Sequence, residues 1–274
     1  MGRGLVTLCL RAGVVGGILA LALTGCSSAE PDEPLVRSAT VQATPHPSVT
    51  ASPPVMSSRV TPSATPEDTP SSAAPEDPEL DHGSPNSIHV LVNKQNPLDP
   101  ADYAPEDLSV PDVPSSRPGA ELRDEAAGAA EDLFSAAVQD GVDLTLLSAY
   151  RSYGYQQGTY AGWVETYGQA KADRISARPG FSEHQTGLAM DVGAADGACA
   201  LEQCFGETAE GAWVAEHAAE HGWIVRYPDG AEDITGYSPE PWHLRYVGTE
   251  AAADVVASGG VLETAWGFAP APGY

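Results

Sequence analysis

The chain has 274 residues, with 13 Lys and Arg against 38 Asp and Glu, for a formal charge of −25. Such a charge repels duplex nucleic acid and argues against a DNA or RNA partner. At 42% hydrophobic and 19% charged residues the average looks globular, and the length allows one or two domains, but the average hides a strong contrast along the chain.

Residues 1–25 carry Arg3 and Arg11, an apolar stretch from Ala12 through Leu23, and then Thr24-Gly25-Cys26. This is the layout of an export signal, with an apolar run too short to span a membrane comfortably. Leu23-Thr24-Gly25-Cys26 resembles a bacterial lipobox, which implies that Cys26 is diacylated and becomes the mature N-terminus. The expected location is therefore extracytoplasmic, on the outer face of the bacterial cell membrane; an uncleaved anchor or a simple secretory peptide is the alternative.

Residues 26–86 read as a tether. From Ser27 to Asn86 there is no Phe, Trp or Tyr, and prolines recur among Ser, Thr and Ala, so nothing here can build a core. Such a segment would reach roughly 40 Å as a flexible coil and up to about 190 Å in a polyproline conformation. Its acidic clusters are solvated charge, and His46 and His82 are incidental.

A folded domain is predicted over 87–266, with 267–274 as a tail. Ile88 to Val92 is strand-like. Leu122, Ala126, Ala129, Leu133, Phe134, Ala137 and Val138 follow helical spacing and Gly141 supplies a stop, which predicts a helix of about eighteen residues. Strands are predicted over 143–149, 188–192, 223–227 and 242–247, and helices over 153–167 and 208–221, the latter ended by Gly222. Helices and short strands segregate, which gives an α+β class. With Cys9 in the signal and Cys26 lipidated, Cys199 and Cys204 remain as a pair in an oxidising compartment and predict a disulfide. Its short loop puts its stabilisation at or below the low end of about 2–4 kcal/mol.

Ser182-Glu183-His184-Gln185-Thr186-Gly187-Leu188-Ala189-Met190-Asp191 sets an imidazole and a carboxylate seven residues apart, with Gly187 permitting a turn before a strand that carries Asp191. Further on, Glu240-Pro241-Trp242-His243 adds a second imidazole and a carboxylate three residues before it. Two His and one Asp leave a fourth position on zinc for water, with Glu240 as the base for its proton. Mixed nitrogen and oxygen ligands suit zinc better than calcium or magnesium. Taken singly, each residue has a plainer reading: a buried His is commonly a hydrogen-bonded core residue, and an Asp after a glycine turn is commonly a cap. One competing pattern exists: His217-Ala218-Ala219-Glu220-His221 matches the His-x-x-Glu-His of inverted zincins, yet Trp213, Val214 and Trp223 make that helix a core-packing one.

The combination resembles the VanY-type D-alanyl-D-alanine carboxypeptidases, in the zinc peptidase group that includes lysostaphin-type and hedgehog-type domains. The resemblance rests on Ser-x-His-x-x-Gly-x-Ala-x-Asp at 182–191 and Glu-x-x-His at 240–243. Leu91 to Lys94, Ser148 to Tyr153 with Gln156, and Gly222 to Pro228 stand in the same order. It implies a small antiparallel sheet with helices around it and one Zn2+ in a cleft on the sheet. It further implies His184, Asp191 and His243 as ligands, Glu240 as general base and then acid, Arg151 as catalytic and substrate-binding, and Gln156 and Ser182 in the pocket. The implied partner is a peptidoglycan stem peptide, cleaved to release its terminal D-Ala, by a chain expected to be monomeric. An LD-carboxypeptidase or an endopeptidase on the same stem peptides is the alternative, as is a non-catalytic module that binds wall peptide.

Overall fold

The computed structural model describes residues 80–274. The export signal, most of the tether and Cys26 lie outside the described residues, and no helix among those described is long and apolar enough to cross a membrane.

The described chain opens on an irregular segment of turns after which Val90, Leu91 and Val92 are buried but form no strand, contrary to the strand-like run at 88–92. The reason lies in hydrogen bonding. The carbonyls of Ile88 and Val90 accept from the Arg245 guanidinium at 2.9 and 2.8 Å, and that of His89 faces His82 Nδ1 at 2.9 Å. Side chains thus satisfy groups that a strand would offer to a neighbour.

Two short strands, β1 (Leu108–Ser109) and β2 (Leu122–Arg123), pair antiparallel and lead into α1 (Asp124–Gln139). Asp124 and Glu125 occupy the first turn of α1, where negative charge complements the helix dipole. Its buried stripe runs through Ala126, Ala127, Ala130, Leu133, Phe134 and Ala137, while Val138, expected inside, is exposed. Burial of Leu133 or Phe134 contributes about 1.5–3 kcal/mol each.

After β3 (Leu144–Ser148) come α2 (Tyr153–Tyr167) and α3 (Gln169–Ile175). The Ser152 hydroxyl caps α2 by accepting from the Tyr155 amide at 3.2 Å, and only Gln156 of that helix is buried. A 3-10 turn (Glu183–Thr186) and Gly187 then lead into β4 (Ala189–Ala194). Gly187 has φ +70°, and a Cβ there would lie 2.9 Å from Arg123 Cγ and 3.0 Å from Leu108 Cδ2, so conformation and space both demand glycine.

The predicted helix at 208–221 is α4 (Ala209–His217) followed by a 3-10 turn (Ala218–His221) that ends at Gly222. Strand β5 (Trp223–Tyr227), α5 (Glu232–Thr235), β6 (Glu240–Tyr246), α6 (Thr249–Ala257) and α7 (Leu262–Ala265) complete the chain. The main sheet is antiparallel in the order β3-β4-β6-β5. The architecture is α+β, as the segregation of helices and strands predicts.

Alternation along the strands separates two faces. Leu146, Met190, Val192, Leu244 and Trp223 point to one side, where they pack with α1, Phe205 and Trp213 in the larger core. Asp191, His243, Arg245 and Arg226 occupy the intervening positions. A smaller cluster of Leu91, Ile224, Val247, Ala252, Val255 and Leu262 seats α6.

Packing runs past the expected limits of 87 and 266. The His82 ring lies 4.2 Å from that of Trp266, so His82 is a packed residue and not an incidental one. Ala271 is buried with its amide on the Ile234 carbonyl at 2.7 Å, and the Tyr274 hydroxyl accepts from the Arg178 amide at 2.8 Å. The segment 267–274 therefore lies along the domain.

Candidate active site

Asp191 on β4 and His243 on β6 are direct cross-strand partners, so their side chains emerge side by side on the face away from the larger core. The 3-10 turn brings His184 over this pair. His184 Nε2 lies 3.3 Å from Asp191 Oδ2, and His243 Nδ1 lies 3.3 Å from Asp191 Oδ1. His184 Nδ1 donates to the Ala149 carbonyl at 2.8 Å, which turns Nε2 toward Asp191. Neither His184 Nε2 nor Asp191 Oδ1 has a hydrogen-bond partner, although both are buried.

Two ligands about 2.0–2.1 Å from a tetrahedral zinc stand about 3.3–3.4 Å apart; each histidine nitrogen lies 3.3 Å from one oxygen of Asp191, though not the same one, and one donor atom from each of the three residues lies within 4.8 Å of the others. The two orphaned atoms and the mixed nitrogen and oxygen donors fit that ion. Among the described residues this trio is the one group of three or more such side chains close enough to share a metal.

Electrostatics point the same way. Burial lowers His184 to about 4, with Arg151 adding to the effect, so its imidazole is neutral and free to donate a lone pair. Asp191 stays well below the usual carboxylate range despite burial, because His184 and His243 lie beside it. Burial opposes a charge on His243, yet Asp191, Glu183 and Glu240 raise it to about 9. Surroundings that favour a proton there favour a metal cation as well.

Glu240 opens β6, with its Oε2 3.7 Å from His243 Nδ1. Burial pushes its carboxyl up to about 7; Asp191 adds to this while His243 and Arg151 oppose it. A carboxylate poised near neutrality suits a group that takes up and returns a proton. Arg151 also lines the cleft: its backbone amide donates to the His184 carbonyl at 3.1 Å, and its buried Nε has no partner.

These groups open into a cleft of about 470 Å³ that is also lined by Ser182, Trp163, Tyr167, Leu201 and Gln203. Gln156, expected in the pocket, is not among its lining residues. Its Nε2 instead donates to Ser176 Oγ at 3.3 Å and the Ala177 carbonyl at 2.7 Å, and so braces two residues of the wall. Cys199 and Cys204 are disulfide-bonded, and the loop they close carries Leu201 to the rim. A larger cavity of about 730 Å³, lined by Ala218, Trp223, Ile224, Val225, Pro241 and Val255, contains none of the trio. The smaller cleft is where polar groups converge, and it is the candidate site.

The rival pattern at 217–221 gathers no ligand set. The helix tightens at Ala218, and His217 packs on Trp213 with ring centroids 4.8 Å apart. Arg178 pairs with Asp173 through two hydrogen bonds of 3.0 and 2.9 Å and lies 4.0 Å from the Tyr274 ring centre.

Sequence reasoning missed Glu183 and the charges behind it. Glu183 Oε2 lies 3.3 Å from His243 Nε2, and Glu183 Oε1 accepts from Arg226 Nε at 2.7 Å and Arg245 Nη1 at 3.2 Å. Burial would raise the Glu183 carboxyl, but the two arginines hold it well below its usual range. The available signal was an arginine within each of two mostly apolar strands, Arg226 at Trp223 to Tyr227 and Arg245 at Trp242 to Val247.

Comparison with known proteins gives the family. The family model described as VanY, D-alanyl-D-alanine carboxypeptidase, matches residues 119–249. The chain is 46% identical over 173 residues to the putative carboxypeptidase YodJ of Bacillus subtilis, a match that covers 62% of this chain and 63% of YodJ. Among solved structures, the LdcB LD-carboxypeptidase is 43% identical with a TM-score of 0.64, over 68% of this chain and 88% of that one. A mutant of the D,D-pentapeptidase VanY from a VanB-type resistance cassette, in complex with Zn(II), is 34% identical with a TM-score of 0.55, over 64% and 97%. With the trio, the carboxylate beside it and these likenesses together, the chain belongs to the VanY family of D-alanyl-D-alanine carboxypeptidases.

Proposed function

We propose that the protein is a zinc carboxypeptidase that removes the terminal D-Ala from peptidoglycan stem peptides. The observation that carries this reading is the buried His184, Asp191 and His243 trio with Glu240 beside it. The trio would hold zinc, which supplies Lewis acidity at the scissile carbonyl and makes a water molecule acidic at neutral pH. Glu240 takes the proton of the attacking water on its carboxylate and returns it to the leaving amine. Arg151 binds negative charge in the cleft, either the substrate's terminal carboxylate or the oxyanion, a task that needs a dedicated cation in so acidic a chain. The side chain of Ser182 contacts substrate in the same cleft. The chain works as a monomer, carried by a lipid on Cys26 and a tether long enough to reach the wall.

Cleavage between two D-Ala residues follows the family's description. A second reading, removal of D-Ala from a tetrapeptide by LD-cleavage, has the likeness to the LdcB LD-carboxypeptidase in its favour. Mass spectrometry of stem pentapeptide and tetrapeptide, each incubated with zinc-loaded protein and with Glu240→Ala, separates the two. Loss of one alanine from the pentapeptide in the wild type alone supports the first reading, and loss from the tetrapeptide alone supports the second. No cleavage of either leaves an endopeptidase or a binding module.

A further inference from the structure

The two histidines of the trio present opposite ring nitrogens to Asp191. His184 offers Nε2, with its Nδ1 on a backbone carbonyl, whereas His243 offers Nδ1, with its Nε2 toward the side chain of Glu183. An imidazole ligates through one nitrogen only if the other carries the proton, and the hydrogen bond made by that other nitrogen decides which is which.

We infer that Glu183 is the positioning residue of His243: its carboxylate takes the hydrogen bond from Nε2–H and so commits Nδ1 to the metal. This rests on the zinc reading above. The carboxylate is divided between two tasks. Oε1 receives both arginines, Arg226 and Arg245, and Oε2 faces His243. The arginines are themselves fastened: Arg226 makes two further bonds to Glu263, at 2.9 and 2.7 Å, and Arg245 reaches the carbonyls of Ile88, Val90 and Tyr246. Glu263 in turn accepts from Asn93 Nδ2 at 3.1 Å.

Two acids and two arginines thus form a balanced set with side chains wholly inaccessible to solvent. Such a set is poor value as a source of stability, because desolvation of the ions offsets most of their attraction. Its contact with the trio runs through Glu183 Oε2, which is where an orienting role would be exerted. Rotating the His243 ring by half a turn would put carbon atoms where its nitrogens now stand, so the same bond also selects the ring orientation.

The test uses the full-length, zinc-loaded chain with ¹⁵N-labelled histidine. Long-range nitrogen–proton spectra are expected to place the His243 proton on Nε2 and the His184 proton on Nδ1; a His243 proton on Nδ1, with Nε2 on zinc, overturns the inference. Chelator competition gives the second readout. Glu183→Gln presents an amide donor to one of its partners and is expected to weaken zinc binding about 10- to 100-fold. Glu263→Gln, which breaks the set at its far end, is expected to change affinity by less than about 10-fold. Unchanged affinity in Glu183→Gln, or an equal loss in both variants, also overturns it. If Glu183→Gln does not fold, the spectrum of the native protein decides alone. Asp191→Ala is the separate control: zinc retained at full affinity there would refute the metal site itself and not the role of Glu183.

Discussion

The two faces of one four-stranded sheet differ in what they ask of a side chain. On the core face, Leu146, Met190, Val192 and Leu244 are buried among other apolar groups and need only shape and volume. On the opposite face, Asp191, His243, Arg226 and Arg245 are as well buried, yet each has a named partner at a definite distance. A change on the first face should therefore be read in stability, and a change on the second in metal binding and turnover.

The contrast is broken most severely at the trio. Asp191→Ala is expected to abolish both zinc retention and turnover, measured as metal content after dialysis and as alanine release. Glu240→Ala sharpens it by separating the two readouts: turnover should fall about 10²- to 10⁴-fold while bound zinc stays near one per chain. Retained turnover near the wild-type rate would exclude Glu240 as the base.

Leu133→Ala, in α1 beneath the core face, should do the reverse. It is expected to lower unfolding free energy by about 2–5 kcal/mol in urea titration, with zinc content unchanged. Arg151→Ala removes a charged hydrogen-bond donor of the cleft, a loss of about 1.5–3 kcal/mol, and should lower kcat/KM about 10- to 100-fold without loss of metal. The smallest effect belongs to the rival pattern. Replacing His217 and His221 together with alanine should leave bound zinc at about one equivalent, and loss of the metal would reassign the ligands.

Much of the fold was legible because periodicity is a local property. The alanine-rich stripe of α1, the exact run of α2 and the strand at 223–227 follow from spacing and from turn residues such as Gly141 and Gly222, and the strand expected at 242–247 is found at 240–246. The segment at 88–92 misled because its apolar run is real but its carbonyls are satisfied by Arg245, more than 150 residues away. The resemblance puts Gln156 in the pocket, but a motif does not say which way a side chain turns, and its amide instead meets Ser176 and Ala177 in the wall.

Taken alone, the sequence determined the α+β class, most of the elements around the candidate site, and the residue types of the candidate metal trio with Glu240. Those are written in composition, spacing and short motifs. Tertiary structure decided how they meet: the register that makes Asp191 and His243 cross-strand partners, the turn that sets His184 above them, and the buried Glu183 that links His243 to Arg226, Arg245 and Glu263. Contacts of that kind depend on strand pairing and on the exclusion of water between segments far apart in the chain, and neither is encoded in any local pattern.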